Sequence, residues 1–552
     1  MNRNAQERFA LNPVNIDIQR SRFLMTPEVK TSFNVGDLVP IGKPIEVLPG
    51  DTFEINTSFA VRMQPLVSAP MDNLSFDYYW FFVPNRIVWN HWKEFMGENT
   101  NGAWIPQTEY TVPQLKFENF FAQPKSVADY MTVPVAQNSF GEGTPSFEVS
   151  ALPFRGFALI YNEWFRNENL VQPLQISFDD TDRTAITTQN TNYNIPQIST
   201  ELGGCLPKVS KRPDYFTKAL PGPQKGPDLQ LAEAMPVYFG EVPSAADVVA
   251  RGHADHSYYM EHSGTNVRTY FSTGQTSYSG TNNATGQPAN WFVDSGLTVS
   301  ALRTAFQVQK LYEKDARGGT RYREMLKSHF GVTSPDASQQ IPQYLGGKNV
   351  SININSLLQT SETGTTPQGN VAGYSLTSHG SRGHDFIQSF TEHGWLFCVG
   401  CARIDQHSYQ NGLHRSFTRK NRLDYYFPVL ANISEQPIKN KEIYLQGKPV
   451  DDEVFGYQEA WAEYRYQPSS LTSCMRSNPV VRDSLDNWHF GDDYDQLPTL
   501  SESWIAEDPG NVDRTLAVSS SVTDQLFGDF RFNIKATRPM PLYSIPGLID
   551  HH

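Results

Sequence analysis

Residues 71–97, MDNLSFDYYWFFVPNRIVWNHWKEFMG, concentrate the aromatic side chains of this sequence and decide its fold. Nine of the twenty residues from Phe76 to Phe95 are aromatic, whereas aromatic residues make up 12% of the chain. Each ring can bury roughly 150 to 250 Å² and requires a partner surface. We therefore expect this stretch to lie in a core, or in a core that continues across a subunit boundary.

A strand pattern stands directly before the aromatic stretch. In 51–63, DTFEINTSFAVRM, apolar and polar side chains alternate, as expected of a strand with one buried face. The apolar run 77–83 predicts a strand that is covered on both sides and ends at Pro84. Residues 87–96 then predict a short helix.

Strand patterns recur towards the other end of the chain, and helical patterns lie between them. Apolar side chains have helical spacing after Pro153 and in 299–316 and 322–330. Further strands are predicted for 395–404, 423–427 and 529–536. Because no helix alternates regularly with these strands, the sequence favours an antiparallel β-sandwich with long excursions over a parallel α/β sheet.

Length, charge and cysteine content exclude several classes of protein. The 552 residues carry a net charge of −13, which argues against a dedicated nucleic-acid binder but leaves room for one basic face. Four cysteines are too few for a disulfide framework and suit a reducing cytoplasm. The polar opening MNRNAQERFA and the lack of a long apolar run predict a chain that is neither exported by a standard signal nor inserted in a membrane.

One polar segment differs in composition from the rest. In residues 262–290, eighteen of twenty-nine residues are Gly, Ser, Thr or Asn, a composition that does not build its own core. The wider stretch 222–296 has a net charge of −4, from three basic and seven acidic residues. We expect a surface excursion that faces solvent or a protein.

Motifs for catalysis and metal binding are weak. The P-loop, dinucleotide, zinc-protease and nucleophile-elbow motifs are absent from the sequence. Cys398 and Cys401 lie in a predicted buried strand, where positions three apart point to opposite faces and do not share a metal. The histidines of RGHADHSYYMEH (251–262) lack a closing ligand set, so solvated loop residues are the favoured interpretation. We expect no catalytic residue, metal ion or cofactor.

Two acidic clusters, DDE at 451–453 and DDYD at 492–495, raise the alternatives of glycosidase carboxylates or a calcium loop. Adjacent carboxylates do not define a glycosidase cleft, and DDYD lacks the twelve-residue calcium loop. Solvated loops are the favoured interpretation of both.

The best nucleic-acid signal is HRSFTRKNRLDYYF, residues 414–427. It places cations beside rings that can stack on bases, as single-stranded nucleic-acid sites require. The candidate contacts are Arg415, Arg419, Lys420 and Arg422. The alternative interpretation is a charged loop that enters a strand.

Several ordered blocks of the chain resemble one protein family. The blocks include RSRFLMTPEVKTSFNVGDLVP (20–40), FFVPNRIVWNHWKEFMGE (81–98), PDYFTKALPGPQKG (213–226), FGYQEAWAEYRYQPS (455–469) and RPMPLYSIPGLIDHH (538–552). They are similar to the major capsid proteins of gokushoviruses, small icosahedral single-stranded DNA phages of the Microviridae. The resemblance spans nearly the whole chain, except for a stretch from about 225 to 297.

The resemblance implies a mainly β fold, an eight-stranded antiparallel jelly roll of the viral capsid type, with long loops and α-helical insertions. It implies self-assembly into a T=1 icosahedral shell that encloses a circular single-stranded DNA genome. The expected partners are further copies of the chain, viral scaffolding, DNA-binding and pilot proteins, the packaged DNA and a host surface receptor. The expected location is the virion, assembled in the cytoplasm of the bacterial host.

The same resemblance divides the chain into four parts. Residues 1–27 are expected to form an N-terminal arm and 28–221 the first part of the jelly roll with inserted helices. Residues 222–298 are expected to form a variable insertion that protrudes at the threefold axes. Residues 299–552 then supply a helical segment, the second part of the jelly roll and a C-terminal arm.

Shell formation requires aromatic side chains that anchor one subunit on another. The candidates are Trp89, Trp92, Phe95, Trp461, Tyr464 and Tyr466, with the core of the chain itself as the alternative position. In the insertion, Tyr270, Phe271 and Tyr278 are candidates for stacking on host glycans. A carbohydrate-binding or carbohydrate-active β-sandwich is the competing class of protein, since such folds often bind sugars and the chain has ten tryptophans.

Overall fold

The fold was obtained as a computed structural model. It describes residues 19–99, 108–118, 121–135, 146–186, 194–227, 237–239, 248–251, 257–263, 266–272, 291–293, 299–362, 364, 368–369, 371–380, 383–477 and 483–543. Two compact units emerge: one combines 1–223 with 318–552, and the other spans Gln224–Arg317.

Two antiparallel sheets form the centre of the first unit. In the first sheet, the strand Leu526–Arg538, called here the last strand, pairs along its length with the strand Thr52–Met63, called the alternating strand. Two short strands lie end to end on the outer side of the last strand, and two more lie on the outer side of the alternating strand: Ser21–Met25, Glu28–Phe33, Thr377–Gly380 and Phe386–Ser389.

The second sheet is built around the strand Leu74–Pro84, called here the aromatic strand. It pairs on one side with Gln343–Ile352 and on the other with Gly394–Ile404. The outer edge of Gly394–Ile404 pairs with Val39–Pro40 and Ile45–Val47. If each pair of end-to-end strands is taken as one interrupted strand, both sheets have four strand positions.

The two sheets pack face to face through aromatic side chains. Phe76 lies 5.3 Å from Phe59 and 5.5 Å from Phe530, measured between ring centroids. Trp80 contacts Phe532 at 5.4 Å and donates its indole N–H to the Thr57 hydroxyl. Burial of each such side chain is worth roughly 1.5–3 kcal/mol. The mainly β, antiparallel fold predicted from the sequence is confirmed.

The outer face of the aromatic strand is covered as well. The helix Leu152–Ile160 carries Pro153 in its first turn and continues as the π-helical turn Tyr161–Phe165. From that turn, Trp164 lies 5.5 Å from Phe81. Gly156 allows the helix to approach the sheet, since a Cβ there would lie 2.9 Å from the Phe397 ring. The prediction of a strand covered on both sides is confirmed.

Further elements lie in the connections of the first unit. The helices are Trp92–Phe95, Val127–Tyr130, Pro196–Ser199, Tyr322–Met325 with the π-helical turn Leu326–Phe330, Asp336–Gln339, Asn440–Ile443, Glu502–Ile505 and Gly510–Asp513. The strands form small sheets: Gln114–Glu118 with Ser146–Ser150 and Arg183–Thr184, Ile354–Leu358 with Val371–Ser375, Ser408–Tyr409 with Ser469–Ser470, and Glu435–Lys439 with Val454–Glu459.

Val171 and the segment 215–219 join apolar side chains from the described residues between Ile404 and the last strand to build a second core beside the sheets. Phe216 lies at its centre, 4.7 Å from Tyr409. Phe455 and Trp504 pack edge to face at 5.2 Å. This core supports the surface on which the basic segment lies.

Two predicted elements differ in the structure. The helix predicted for 87–96 is interrupted, because the Asn90 N–H donates to the Phe178 carbonyl; a 3-10 turn Asn85–Ile87 and the helix Trp92–Phe95 flank the break. The strand predicted for 423–427 is wrong. Asp424 accepts hydrogen bonds from the backbone N–H groups of Lys420 and Asn421, which fixes a turn instead.

The structure divides the chain into two units, whereas the resemblance implied four parts. Part of the expected arm 1–27, the strand Ser21–Met25, belongs to the first sheet. The second unit begins close to the predicted start of the insertion at 222, but it also takes in most of the helix Val299–Gly318. Its strands are Val237–Phe239 with Trp291–Val293, and Val248–Arg251, Ser257–Ser263 and Asn266–Ser272 in one antiparallel sheet.

Among the described residues, every helix is too short or too polar to cross a lipid bilayer.

Candidate assembly and nucleic-acid surfaces

Trp89, in the turn after Pro84, was predicted as a subunit anchor but belongs to the core. Trp89 is fully buried within the chain, and its indole N–H donates to Asp180 Oδ1 at 2.6 Å. Asp180 also bonds His91 at 2.9 Å, and this contact lowers the pKa of its carboxyl against the opposing effect of burial. Trp89 has no surface left for a neighbouring subunit, so the core alternative holds for this residue.

Trp92 and Phe95 lie outside Trp89 on the same turn. Their rings are 6.1 Å and 5.3 Å from that of Trp89. Trp92 is half-buried and packs edge to face on His393, whereas Phe95 is 38% exposed. Phe95, and part of Trp92, are therefore exposed to solvent while they pack on the buried Trp89 ring.

The structure brings together two groups that are far apart in sequence, the basic segment and the anchors after Glu459. The Arg419 guanidinium lies over the Tyr464 ring at 4.5 Å and donates to the Tyr464 hydroxyl at 2.6 Å. The Tyr426 ring lies 5.6 Å from Trp461 and 6.1 Å from Tyr464. We call these four residues, together with Tyr425 beside Arg419, the Arg419 cluster.

Backbone geometry holds Trp461 in this cluster. Trp461 has a φ of 65°, in the left-handed region that non-glycine residues rarely occupy. Its indole N–H donates to the Leu430 carbonyl at 2.9 Å. The third anchor, Tyr466, is 37% exposed and lies under Lys218 Nζ at 4.9 Å.

Two of the four candidate DNA-binding cations are neutralised by carboxylates of the described chain, and two are not. Arg419 is almost buried and pairs with Glu463 at 2.9 Å, and Arg415 pairs with Glu442 at 3.1 Å. Lys420 and Arg422 are exposed, and among the described residues neither forms an ion pair. Only half of the predicted positive charge therefore remains available to a phosphate backbone.

Exposed apolar side chains lie in the same segment as Arg419, Tyr425 and Tyr426. Phe417 is 78% exposed, Leu423 71% and Val429 93%, and Tyr464 is 55% exposed. Exposed apolar patches of this kind mark contact surfaces between proteins.

Two of the three candidate glycan contacts in the insertion fall on a described strand. Tyr270 and Phe271 fall on the strand Asn266–Ser272, in register with Tyr259 and Tyr258. Tyr278 and His253 lie outside the described residues.

The sequence favoured solvated loops for both acidic clusters, but each cluster contains a buried aspartate in the structure. Asp451 is buried and accepts backbone hydrogen bonds from Gly447 and Lys448. Asp452 is exposed and binds Lys439 and Lys441, and these contacts lower the pKa of its carboxyl to about 2. Asp451 thus fixes the local backbone, whereas Asp452 is held by two lysine side chains.

Asp492 belongs to a buried ionic network that the sequence did not predict. It pairs with Lys211 at 2.7 Å and with His407 at 3.2 Å, and His407 contacts Glu507 at 3.3 Å. Burial alone would lower the pKa of His407, but the two carboxylates outweigh it and raise the pKa to about 10. The opposite charges balance, and the residues are too far apart in sequence for any motif to reveal them.

Chemically reactive groups are few among the described residues. Cys398 and Cys401 are buried in the strand Gly394–Ile404, and burial raises the pKa of the Cys401 thiol to about 12. Within the described ranges, no three His, Cys, Asp or Glu side chains converge as metal ligands.

Comparison with known proteins agrees with the fold. A family model described as "Capsid protein (F protein)" matches residues 13–548. The capsid protein VP1 of Spiroplasma virus 4 is 38% identical over 548 residues, with 96% of each chain covered. The capsid protein VP1 of Chlamydia phage 1 is 35% identical, with 96% of each chain covered, and that of Bdellovibrio phage phiMH2K is 34% identical, with 99% of this chain and 98% of the relative covered.

These matches bear on the competing classes of protein. They span nearly the whole chain and all carry capsid names, which favours a structural protein over a carbohydrate-active β-sandwich. The resemblance to gokushovirus capsid proteins is confirmed. The chain belongs to the phage capsid F protein family: it is a structural protein of the virion that assembles with copies of itself into a capsid.

Proposed function

We propose that this chain forms a T=1 icosahedral shell around a circular single-stranded DNA genome, and that the Arg419 cluster with its apolar surroundings is one of the contacts between subunits. Assembly takes place in the cytoplasm of the bacterial host, with viral scaffolding, DNA-binding and pilot proteins. The insertion 222–298 protrudes at the threefold axes, where Tyr270, Phe271 and Tyr278 contact a host surface receptor.

The observation that supports the contact most directly is the exposure of large apolar side chains beside the cluster. Val429, Phe417 and Leu423 are each more than two-thirds exposed in the single chain. Specific interfaces bury roughly 600–1,000 Å² on each partner, and aromatic side chains and arginine are enriched in them. A capsid subunit provides the required partner, since copies of the same chain surround it on all sides.

The charges of the patch favour a protein partner over DNA. Arg415 and Arg419 are neutralised by Glu442 and Glu463, so they shape the surface and add little net charge. Binding of nucleic acid rests mainly on cations that neutralise phosphates, and only Lys420 and Arg422 remain for that role. We therefore assign the rings of the cluster to subunit contact and keep Lys420 and Arg422 as the candidate DNA contacts.

Two variants separate these roles. Phe417→Ser removes an exposed ring, and we expect it to reduce the yield of closed particles about tenfold while the unfolding of the dissociated protein stays unchanged. Lys420→Gln combined with Arg422→Gln should leave particle yield unchanged and lower the DNA retained per particle at raised salt. Sedimentation, with absorbance at 260 and 280 nm, measures both quantities. Normal assembly of Phe417→Ser would contradict the subunit contact, and unchanged DNA retention in the double variant would remove the DNA assignment.

A further inference from the structure

A β-hairpin projects between two strands of the sandwich. Its strands are Ile354–Leu358 and Val371–Ser375, which pair antiparallel with Ile354 opposite Ser375 and Leu358 opposite Val371. Neither strand pairs with another named strand among the described residues. A two-stranded hairpin is marginally stable by itself and requires a surface that covers it.

The chain covers one face of this hairpin around Gly373 and Ser375. Gly373 lies on that face and forms an isolated bridge with Leu66. A Cβ at Gly373 would collide with the Ser68 carbonyl and lie 2.9 Å from Leu66 Cβ, so the contact is close. Ser375, on the same face, is buried.

The opposite face of the hairpin has no cover within the described chain. Its two cross-strand pairs are Asn355 with Tyr374 and Leu357 with Ala372, and all four residues are exposed. Leu357 is 57% exposed and Tyr374 is 48% exposed. Leu357 lies directly opposite Ala372 and diagonal to Tyr374, so these side chains are close enough to form a continuous apolar surface.

The hairpin is also depleted of charge. Between Lys348 and Arg382 the only charged side chain is that of Glu362, whereas charged residues make up 19% of the chain. Depletion of charge distinguishes the centre of a protein interface from the remaining surface. It also disfavours DNA as the occupant, because no lysine or arginine lies between these two ends to neutralise a phosphate.

We infer that the uncovered face of this hairpin, with Leu357 and Tyr374 at its centre, docks on a second copy of the chain. The inference rests on the proposed shell, in which each subunit meets several copies. The exposed apolar area of the hairpin is on the order of a few hundred Å², below the roughly 800 Å² per partner of a stable pair. The hairpin is therefore one part of a repeated contact, and it does not hold an isolated dimer together.

Two measurements test this contact. The first is assembly of the variant Leu357→Thr with Tyr374→Thr, which keeps residue types that favour strands. We expect at least a tenfold lower yield of closed particles than wild type. The matched control is Val522→Thr, which removes a side chain that is 77% exposed and lies outside the hairpin; it should assemble like wild type.

The second measurement keeps the inference testable if the double variant misfolds. A photoreactive phenylalanine analogue replaces Tyr374 in the full chain, and irradiated particles are digested and analysed by mass spectrometry. We expect a cross-link between two copies of the chain. A cross-link to DNA or to another viral protein would overturn the inference, as would normal assembly of the double variant.

The two proposals fail in different ways. If the wild-type chain forms no particles under any condition, the proposed shell fails and this inference fails with it. If wild type assembles but Tyr374 yields no cross-link between copies, the hairpin contact alone is wrong.

Discussion

Alanine variants of Trp89 and Phe95 distinguish a core residue from a proposed subunit contact in the same turn. Trp89 is fully buried, and truncation of a buried tryptophan costs about 3–5 kcal/mol. The lost hydrogen bond to Asp180 adds little, since that carboxylate is 41% exposed and water can replace the indole N–H. Phe95 is 38% exposed, so its truncation removes about three-fifths of a full burial, or about 1–2 kcal/mol.

Urea unfolding of the dissociated protein, followed by tryptophan fluorescence, measures both free energies. We expect Trp89→Ala to raise the ratio of unfolded to folded chain about a hundredfold or more, since each 1.4 kcal/mol is tenfold. Phe95→Ala should lose only about 1–2 kcal/mol but give fewer closed particles in sedimentation. A loss below about 1 kcal/mol for Trp89→Ala, or equal losses of stability in the two variants, would refute the division between core and contact.

Two further predictions concern buried charge. The pKa of His407 rises from its ordinary 6.5 to about 10 in the folded chain, so its stabilising contribution is complete below about pH 6.5 and is lost as the pH rises to about 10. The free energy of unfolding should fall across this range more steeply in wild type than in His407→Gln, and equal slopes in pH-dependent urea titrations would disprove the assignment. Asp77 is buried and binds Arg403 at 2.5 Å and Arg212 at 3.1 Å. Arg212 keeps Asp405 at 3.2 Å, but Asp77→Asn leaves Arg403 without its carboxylate partner and should cost about 3–5 kcal/mol. A midpoint of urea unfolding within error of wild type would contradict this role.

The sandwich could be predicted from sequence because its strands carry periodic signals. In the alternating strand and the last strand, apolar and polar residues alternate as one face is buried. The aromatic strand is apolar throughout because both of its faces are buried. The turn at 423–427 could not be predicted in this way. There the hydrogen bonds of Asp424 override a pattern of aromatic residues that favours a strand.

The surfaces were predicted less completely, because contacts between distant segments have no local pattern. The aromatic character of Trp89 and Phe95 is the same in sequence, and only the packing separates the buried ring from the exposed one. Glu463 neutralises Arg419 across more than forty residues, so the sequence overstated the basic patch. The charge-poor stretch between Lys348 and Arg382 was visible in the sequence, but its meaning depends on the uncovered face of the hairpin.

The central claim is that the chain builds a closed shell from copies of itself. Negative-stain electron microscopy of the purified protein, followed by a reconstruction of the particles, tests it most directly. We predict closed T=1 particles, with Phe417, Leu423 and Val429 and the hairpin face around Tyr374 at contacts between subunits. A monodisperse monomer, or a shell in which both surfaces face solvent, would contradict the account.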